Sequence, residues 1–483
     1  MKTERLTRIA PWLFAGIYFL LSMNLPFWGD SIASVSKAAV RIFEEGLNRP
    51  WNYPNADPGH PTLFPWIIAL AWKLVGLHLW VPHFLIALMA GGLLRRLDDF
   101  QKLLDEKLRL WGLLLAGISP LFISQSLEVS LALPLTFLTF EAVHFLKRKQ
   151  YFVFVLCMMA LSLVHLQGMM LLAAIGLYDI WRSWPLKTSF WKRLPLYVFP
   201  LLSFAIWVYF HQKEFGWGIF TPNYGRSAPG LKMIIYNLAI SAWRLLDLGY
   251  FMVCVPALFL GFSSFVKRKT GDLDKLFLIL LLVLAIGIPV IFAYPPNHRY
   301  VFPVYLLSIP LFLKFIKAWK PKRQAIMLMF SFVMLLSGNL WYYPGKCLGD
   351  QNLVFLGYHE IEQEVMEYLP EGTIVHSYAP LNNDSKFTWL IPSRSIRYTD
   401  LYDREYEQVD WILESNLNCE FSGEDRHVLD SFFVSRTFST YGVYANLWMN
   451  KRLSKDFPNH PGPKREPGRL EIWIQEMKTR LKN

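Results

Sequence analysis

Residues 276–315 read LFLILLLVLAIGIPVIFAYPPNHRYVFPVYLLSIPLFLKF. Two apolar runs, Leu276–Tyr294 and Tyr300–Phe315, flank the short polar segment 295–299. Each run is close to the roughly 20 apolar residues that cross the hydrocarbon core of a bilayer. Because the bilayer interior leaves no backbone polar group hydrated, such runs without period-2 alternation predict α-helices. The stretch therefore predicts two successive membrane-spanning helices.

The same pattern recurs over most of the chain. Of its 483 residues, 53% are hydrophobic and only 18% are charged, whereas soluble domains have about 25% charged residues. The sequence predicts a polytopic α-helical membrane protein with about 11 transmembrane helices. The predicted spans are Ile9–Leu25, one full crossing and one partial crossing within 62–94, Leu110–Ile123, Val129–Leu146, Tyr151–Val164, Gly168–Trp181, Leu194–Phe210, Leu245–Val266, Leu276–Tyr294, Tyr300–Phe315 and Ile326–Trp341.

The net charge of +12 comes from basic clusters that lie between the apolar runs. Lys147–Lys149, Lys192-Arg193 and Lys267–Lys269 are examples, and each lies at a predicted helix end. This distribution is typical of the positive-inside rule and argues against nucleic acid as a partner. It predicts an integral, multi-pass membrane protein with a cytoplasmic N-terminus. The polar turns at the opposite helix ends then lie on the extracytoplasmic side.

The composition changes near residue 345. We predict a transmembrane domain over residues 1–344 and a small extracytoplasmic α/β domain over residues 345–483. In the second domain, Glu360–Leu369 has the pattern of a helix, and Thr373–Tyr378 and Val409–Leu413 have the pattern of strands. Cys347 and Cys419 also lie there. An oxidising compartment would permit a disulfide between them, and two unpaired thiols are the alternative.

Asp30 lies a few residues beyond the first predicted span, in Trp28-Gly29-Asp30-Ser31. A carboxylate beside aromatic residues at a membrane interface can serve as a general base. The structural alternative is a helix N-cap for the segment that begins at Ser31, a position that Asp favours.

Glu128 and His165 lie at tight outer turns between apolar segments, where an ionisable residue is costly unless it is satisfied or used. Glu128 can bind a metal, position an acceptor or act as an acid, and its structural alternative is helix capping. His165 precedes Gln167, which can share its role.

His60 and Arg299 begin two further apolar segments. Pro61 fixes the backbone after His60, so that turn is either architectural or part of a site. Arg299, followed by Tyr300, either reaches lipid headgroups or clamps a phosphate with two parallel hydrogen bonds. A neighbouring His298 would add positive charge at lower pH.

Other catalytic signatures are absent from the sequence. It has no phosphate-binding glycine loop, no Gly-x-Ser-x-Gly element and no zinc-protease spacing. The four cysteines show no zinc-type spacing. The specificity of the pattern therefore comes from the order and sidedness of several weak elements.

Together these elements resemble the GT-C superfamily of membrane glycosyltransferases, in particular bacterial relatives of protein O-mannosyltransferases and of the aminoarabinose transferase of lipid A. The resemblance covers about residues 1–345 and rests on Trp28-Gly29-Asp30-Ser31, His60-Pro61 to Trp66, Ser124–Glu128 and Arg299-Tyr300-Val301-Phe302-Pro303. Two positions depart from relatives: Ser31 lies where many have a second acidic residue, and His165 lies where a lysine often occurs.

The resemblance implies a transferase that uses a polyprenyl-phosphate-linked sugar, with inversion at the sugar carbon. Asp30 would deprotonate an acceptor hydroxyl, with Glu128 as a second catalytic carboxylate. His60, His165, Arg299 and Tyr300 would bind the donor phosphate. No cofactor is implied with certainty; a divalent metal held by Asp30 and Glu128 is left open. The acceptor can be a protein, a lipid or a glycan.

Three other functions stay open on the sequence alone. A transporter or flippase would place charges near the bilayer midplane and often shows repeated halves. A ligase-type or acyl-transferring enzyme would also work at the outer face. A non-catalytic scaffold would tolerate Asp30→Ala and Glu128→Ala.

Overall fold

The computed structural model describes residues 2–48, 59–102, 104–185, 188–219, 230–292, 295–341, 351–369, 373–377, 385–390, 397–400, 409–415, 426–440 and 443–455. Its contacts divide the chain into two compact units. Unit 1 comprises Met1–Asn24 and Ala33–Asn339, and unit 2 comprises Leu25–Ile32 and Leu340–Asn483. The short segment Leu25–Ile32 therefore groups with the C-terminal part of the chain.

Unit 1 is helical. Its α-helices are α1 Lys2–Ser22, α2 Lys37–Glu45, α3 Leu63–Val75, α4 Trp80–Phe100, α5 Glu106–Ile118, α6 Pro120–Leu127, α7 Ala132–Lys147, α8 Tyr151–Val164, α9 Gln167–Arg182, α10 Thr188–Trp191, α11 Val198–Phe215, α12 Leu231–Leu246, α13 Phe251–Val266, α14 Asp272–Leu280, α15 Ile288–Phe292, α16 Phe302–Ile316 and α17 Pro321–Gly338. A π-helical turn, Leu281–Gly287, joins α14 to α15, and a 3₁₀ turn, His298–Val301, leads into α16.

Helix α16 forms the centre of unit 1. Every residue from Phe302 to Leu313 is buried, and the helix packs against α5, α7, α13 and α14. Pro303 lies in its first turn, where the missing N–H has no intrahelical partner to lose. The stacked rings of Tyr250 and Tyr305, 4.1 Å between centroids, lie between the segment before α13 and α16. The start of α16 is thus fixed in the core.

The exterior of unit 1 is apolar, as in a bilayer-embedded helical bundle. Leu20, Phe152, Phe259 and Val266 are each more than 60% exposed, and so large an exposed apolar surface marks contact with lipid or a partner. By length and hydropathy, three described helical stretches can cross a membrane: Leu194–Phe215, Asp272–Ile291 and His298–Ile316.

Two bent helix pairs would raise that number to five: α5 with α6, at 59°, and α12 with α13, at 112°. The apolar helices of a membrane protein are therefore present, whereas the number of about 11 spans and the cytoplasmic position of the N-terminus stay predictions.

Several basic residues near helix ends form ion pairs with acidic side chains. Arg109 binds Asp98 with two hydrogen bonds of 2.9 and 2.7 Å, and Arg193 binds Asp179 with bonds of 3.1 and 2.8 Å. Lys314 contacts both oxygens of Asp274. These partly buried pairs fix α4 to α5 and α14 to α16, and they hold α9 to the segment before α11. Part of the basic pattern therefore has a structural role.

Unit 2 contains a helix packed on a sheet. Helix α18 is Leu356–Tyr368, and the strands are β1 Ile374–Ser377, β2 Arg397–Asp400, β3 Trp411–Ser415, β4 Phe432–Thr440 and β5 Val443–Asn450, with a single turn α19 Ser385–Thr388 between β1 and β2. The five-stranded sheet has the order β2-β1-β3-β5-β4. Strand β1 pairs in parallel with β2 and β3, and the β3–β5 and β4–β5 pairs are antiparallel.

The small α/β arrangement expected at the C-terminus is present in unit 2. The helix and the two predicted strands overlap α18, β1 and β3. The extracytoplasmic position of this domain stays a prediction. Cys347 and Cys419, the candidates for a disulfide, lie outside the described residues.

Candidate active site

Two histidines from distant parts of unit 1 lie in contact. His60 precedes α3 and His165 follows α8, and their ring centroids are 3.8 Å apart. The backbone at His165 is extended, so the chain reverses there between α8 and α9. The Trp66 of the same motif as His60 has a structural role, because its indole N–H donates to the carbonyl of Leu47 at 3.1 Å.

Gln167 links this pair to a third segment. Its backbone N–H donates to Nδ1 of His165 at 2.9 Å, so a neutral His165 ring carries its proton on Nε2. Its side-chain amide donates to the carbonyl oxygen of Tyr300 at 2.7 Å. Gln167 therefore fixes the His165 tautomer and ties the α8–α9 turn to the turn before α16.

The 3₁₀ turn His298–Val301 brings Arg299 and Tyr300 to the same place. The guanidinium carbon of Arg299 lies 5.5 Å from the centroid of the Tyr300 ring. Burial lowers the pKa of His165 well below its usual value, and neighbouring His60 and Arg299 lower it further. We call His60, His165, Arg299 and Tyr300 the imidazole–arginine cluster. The guanidinium of Arg299 gives the cluster a permanent positive charge next to two imidazole rings. This combination suits the binding of an anionic group.

A buried polar network lies directly beside the cluster. Nη1 of Arg244 donates to Nδ1 of His298 at 3.2 Å, and Nε2 of His298 donates to Oδ2 of Asp247 at 3.2 Å. A guanidinium can only donate, so His298 is protonated on Nε2. His298 is therefore engaged from both sides, and the sequence-based hypothesis that it adds free positive charge to the site lacks support from these contacts.

The Asp247 segment is held rigidly against α17. A Cβ on Gly338 would lie 2.1 Å from the carbonyl oxygen of Leu248, and a Cβ on Gly249 would lie 2.3 Å from that of Met334. Only glycines permit this close approach of two backbones. The hydroxyl of Tyr305 also donates to the carbonyl of Arg244 at 2.7 Å. Both anchors fix the geometry of the network.

Sequence reasoning missed Arg244 and Asp247. Both lie at the end of α12 and just beyond it, in a stretch that reads as part of a loop and a following span. The usable signal was two charged residues at the edge of an apolar run, which are costly in a membrane unless they are paired.

Glu128 lies at the end of α6 and is only 2% exposed. Its backbone N–H donates to the carbonyl of Ser124 at 2.9 Å. It closes α6 as the C-cap residue, while Leu131 is the N-cap of α7. Helix α6 contacts the 3₁₀ turn His298–Val301, so the helix that ends at Glu128 borders the segment of Arg299.

Asp30 belongs to unit 2. It is the exposed residue between buried Gly29 and Ser31. Gly29 has a φ of 51°, which is left-handed. The Ser31 hydroxyl donates to the carbonyl of Trp28 at 2.6 Å, and it accepts from the Trp28 N–H at 3.0 Å. Asp30 is the exposed residue of this tight turn.

Metal binding has no assembled ligand set in the described part of the chain. Within those ranges, no group of three or more His, Cys, Asp or Glu side chains could hold a metal ion. The involvement of a metal with Asp30 and Glu128 stays an open part of the sequence-based hypothesis.

Solved structures that resemble most of this chain include two from one protein. They are crystal structures of ArnT from Cupriavidus metallidurans, one in the apo state and one bound to undecaprenyl phosphate. The apo structure has a TM-score of 0.54 at 11% identity, and the bound structure has a TM-score of 0.53 at 13% identity. Each match covers 90% of this chain and 97% of the ArnT chain.

No protein-family model matches the chain, and no curated protein matches it. ArnT is an aminoarabinose transferase and a GT-C glycosyltransferase. At such low identity the likeness concerns the fold, and the chain has a GT-C-like fold.

Proposed function

We propose, from the GT-C-like fold of this chain, that it is a glycosyltransferase that moves a sugar from a polyprenyl-phosphate-linked donor to an acceptor hydroxyl on the extracytoplasmic side of the membrane. One observation carries the proposal: the contact between His60 and His165, tied through Gln167 to the turn of Arg299 and Tyr300. Residues that the resemblance assigns to the donor phosphate come from three separate segments and share one place in unit 1.

The chemistry of this cluster fits a phosphate. Arg299 carries a permanent charge and a fork of N–H donors that matches two phosphate oxygens. His165 is held neutral with its proton on Nε2, so it can donate one hydrogen bond without adding charge. Tyr300 adds a hydroxyl, and its backbone carbonyl is fixed by Gln167. We assign donor binding to these residues and to His60.

The proposed reaction is a single displacement. Asp30 accepts the proton of the acceptor hydroxyl, and the oxygen forms a bond to the anomeric carbon. The bond between that carbon and the phosphate oxygen breaks, and its electron pair stays on the departing polyprenyl phosphate. Arg299 stabilises the negative charge that develops on this leaving group. Attack opposite the leaving group inverts the anomeric configuration.

Glu128 is proposed as the second carboxylate of the reaction. Its burial and its place at the end of α6, a helix that contacts the turn of Arg299, support a role in orienting the acceptor or in proton transfer. A divalent metal would supply further charge stabilisation at the phosphate. The sugar is left open, mannose and aminoarabinose included, as is the choice among protein, lipid and glycan acceptors.

The test is transfer from a panel of radiolabelled polyprenyl-phosphate sugars in membranes that contain wild-type protein, Asp30→Asn or Arg299→Ala. Transfer by the wild type, with both variants at least tenfold slower at equal expression, supports the proposal. Equal transfer by all three proteins rejects the assigned site. If the wild type transfers none of the sugars while a known transferase does so in the same membranes, the enzyme hypothesis fails and transport becomes the function to measure.

A further inference from the structure

The turn that carries Asp30 is anchored inside the C-terminal unit. Phe27 and Trp28, which precede Asp30, are 0% and 7% exposed. The backbone N–H of Phe27 donates to the carbonyl of Thr388 at 2.9 Å. The ring of Trp28 lies 5.6 Å from the ring of Phe355, tilted by 54°. A hydrogen bond and a ring contact therefore attach this segment to residues more than 300 positions away in the sequence.

The anchor continues into the interior of unit 2. The ring of Phe355 packs edge-on against His359 at 5.8 Å, and His359 packs edge-on against Trp389 at 6.4 Å. Phe355 is 1% exposed and His359 is 5% exposed. Aromatic rings in tilted and edge-on geometries attract one another in addition to the effect of their burial. The row of rings joins Trp28 to helix α18 and to the segment after α19.

Within this anchored turn the residues around Asp30 are buried. Trp28, Gly29 and Ser31 are buried, and the Ser31 hydroxyl closes the turn onto Trp28. Asp30, between them, is exposed. These contacts fix the backbone that carries Asp30, which matters for a general base because small displacements of a catalytic group cost large factors in rate.

We propose that unit 2 positions the Asp30 carboxylate, with Trp28 and Phe355 as the positioning residues. This role rests on the proposed function, in which Asp30 is the base. It assigns the C-terminal unit a part in the chemical step of the reaction.

If unit 2 positions Asp30, a variant that weakens the anchor should lower kcat and leave KM for the donor nearly unchanged. Phe355→Ala removes the ring against Trp28 and should lower kcat at least tenfold, with donor KM changed less than twofold. Phe355→Tyr keeps the ring and should restore most of the rate. Phe432→Ala is the matched control, since Phe432 is a buried aromatic of the unit 2 core that belongs to a cluster with Val409, Ile412 and Leu429. It should lower thermal stability without the kcat-specific loss.

Hydrogen exchange measures the anchor independently of activity. The measurement uses the full-length protein in detergent. The backbone amides of residues 25–32 should exchange at least tenfold faster in Phe355→Ala than in wild type. In Phe432→Ala they should exchange at the wild-type rate. Unchanged exchange in Phe355→Ala, or faster exchange with wild-type kcat, overturns the positioning role. If wild type transfers no sugar, the proposed function fails and this role fails with it, while the exchange data still report whether the anchor exists.

Discussion

The side-chain amide of Gln167 donates a 2.7 Å hydrogen bond to the backbone carbonyl of Tyr300, 133 residues further along the chain. The same residue donates its backbone N–H to His165. One glutamine thus sets both the tautomer of a histidine and the position of the turn that carries Arg299. Its contribution to the site is geometric, because neither of its bonds leaves an additional charge there.

Replacement of Gln167 by leucine should lower the catalytic efficiency with the donor without unfolding the protein. The change removes one partly buried hydrogen bond, which is worth about 1 kcal/mol, and it releases the turn of Arg299 from Gln167. We expect kcat/KM for the donor to fall roughly fivefold to tenfold. Initial rates of label transfer over a range of donor concentrations measure the effect.

Gln324→Leu is the matched control for that experiment. The Gln324 side chain donates to the backbone carbonyls of Ile316, Lys317 and Trp319, at the other end of α16. Its removal should lower the unfolding temperature and leave kcat/KM near the wild-type value. An equal loss of kcat/KM in both variants would show that the Gln167 effect reflects general destabilisation.

Arg299→Ala should cost the reaction far more than a single neutral hydrogen bond. Loss of a group that stabilises charge in the transition state costs on the order of 100-fold in rate. Arg299→Lys keeps the charge but not the two-pronged geometry, so we expect an intermediate loss. The exposed Arg323 at the start of α17 provides the control variant, Arg323→Ala. Full activity in Arg299→Ala would remove this residue from the site.

Low pH should destabilise the folded protein through His165. Its pKa is lowered in the folded protein by burial and by neighbouring His60 and Arg299, so the native state favours the neutral ring. The pKa of a histidine in the unfolded chain is about 6.5. The free energy of unfolding should therefore be unaffected by His165 above this pH and should decrease as the pH falls below it. Protonation would also displace the Gln167 N–H from Nδ1.

Thermal unfolding in detergent at pH 7.5 and pH 5 measures this linkage. Wild type should lose more stability between these values than His165→Gln, in which the titrating ring is absent. His78→Gln, outside the cluster, should lose as much as wild type. A loss in His165→Gln as large as that of wild type would contradict the assignment.

Glu362 should show the opposite dependence on pH. Burial raises its pKa from 4.5 to about 8, and a contact with the Trp389 side chain offsets only part of the rise. The folded protein thus holds a proton that the unfolded chain releases, so stability should fall as pH rises from about 4.5 to about 8. Glu362→Gln should raise the unfolding temperature more at pH 8 than at pH 5. Glu364→Gln, on the exposed side of α18, should show no such difference.

Long apolar segments of the fold were predictable from the sequence because local hydropathy determines them. The run Tyr151–Val164 coincides with α8, and Leu194–Phe210 lies within the stretch Leu194–Phe215. Helix α12 was not predicted. Its apolar residues are interrupted by Lys232, Asn237 and Arg244, and Asn237 is 1% exposed. Burial of polar residues on one side of a helix depends on neighbours that a local window does not contain.

The residues of the candidate site were predictable from the sequence, but the hydrogen bonds that connect them were not. His60, His165, Arg299 and Tyr300 were identifiable because ionisable and aromatic residues at the ends of apolar runs need a partner or a use. The bridge through Gln167 and the network of His298 with Asp247 are not visible in the sequence, because each joins residues that are far apart and have no common spacing. The same reason hid the attachment of Trp28 to Phe355.

Sequence-based assignment of roles has a further limit at Asp30 and Glu128. Their local patterns allow both capping and catalysis, and capping geometry alone does not decide between them. The structure shows a turn that exposes Asp30 and a helix end that buries Glu128.

The most direct test of the proposed glycosyltransferase activity is the stoichiometry of transfer by the purified protein. A radiolabelled polyprenyl-phosphate sugar is supplied with membrane extract as the source of acceptor, and both labelled product and released polyprenyl phosphate are quantified. We predict one polyprenyl phosphate released for each sugar transferred, and a loss on the order of 100-fold in Asp30→Asn. Sugar that stays on its lipid with wild type, or a wild-type rate in Asp30→Asn, would contradict this prediction.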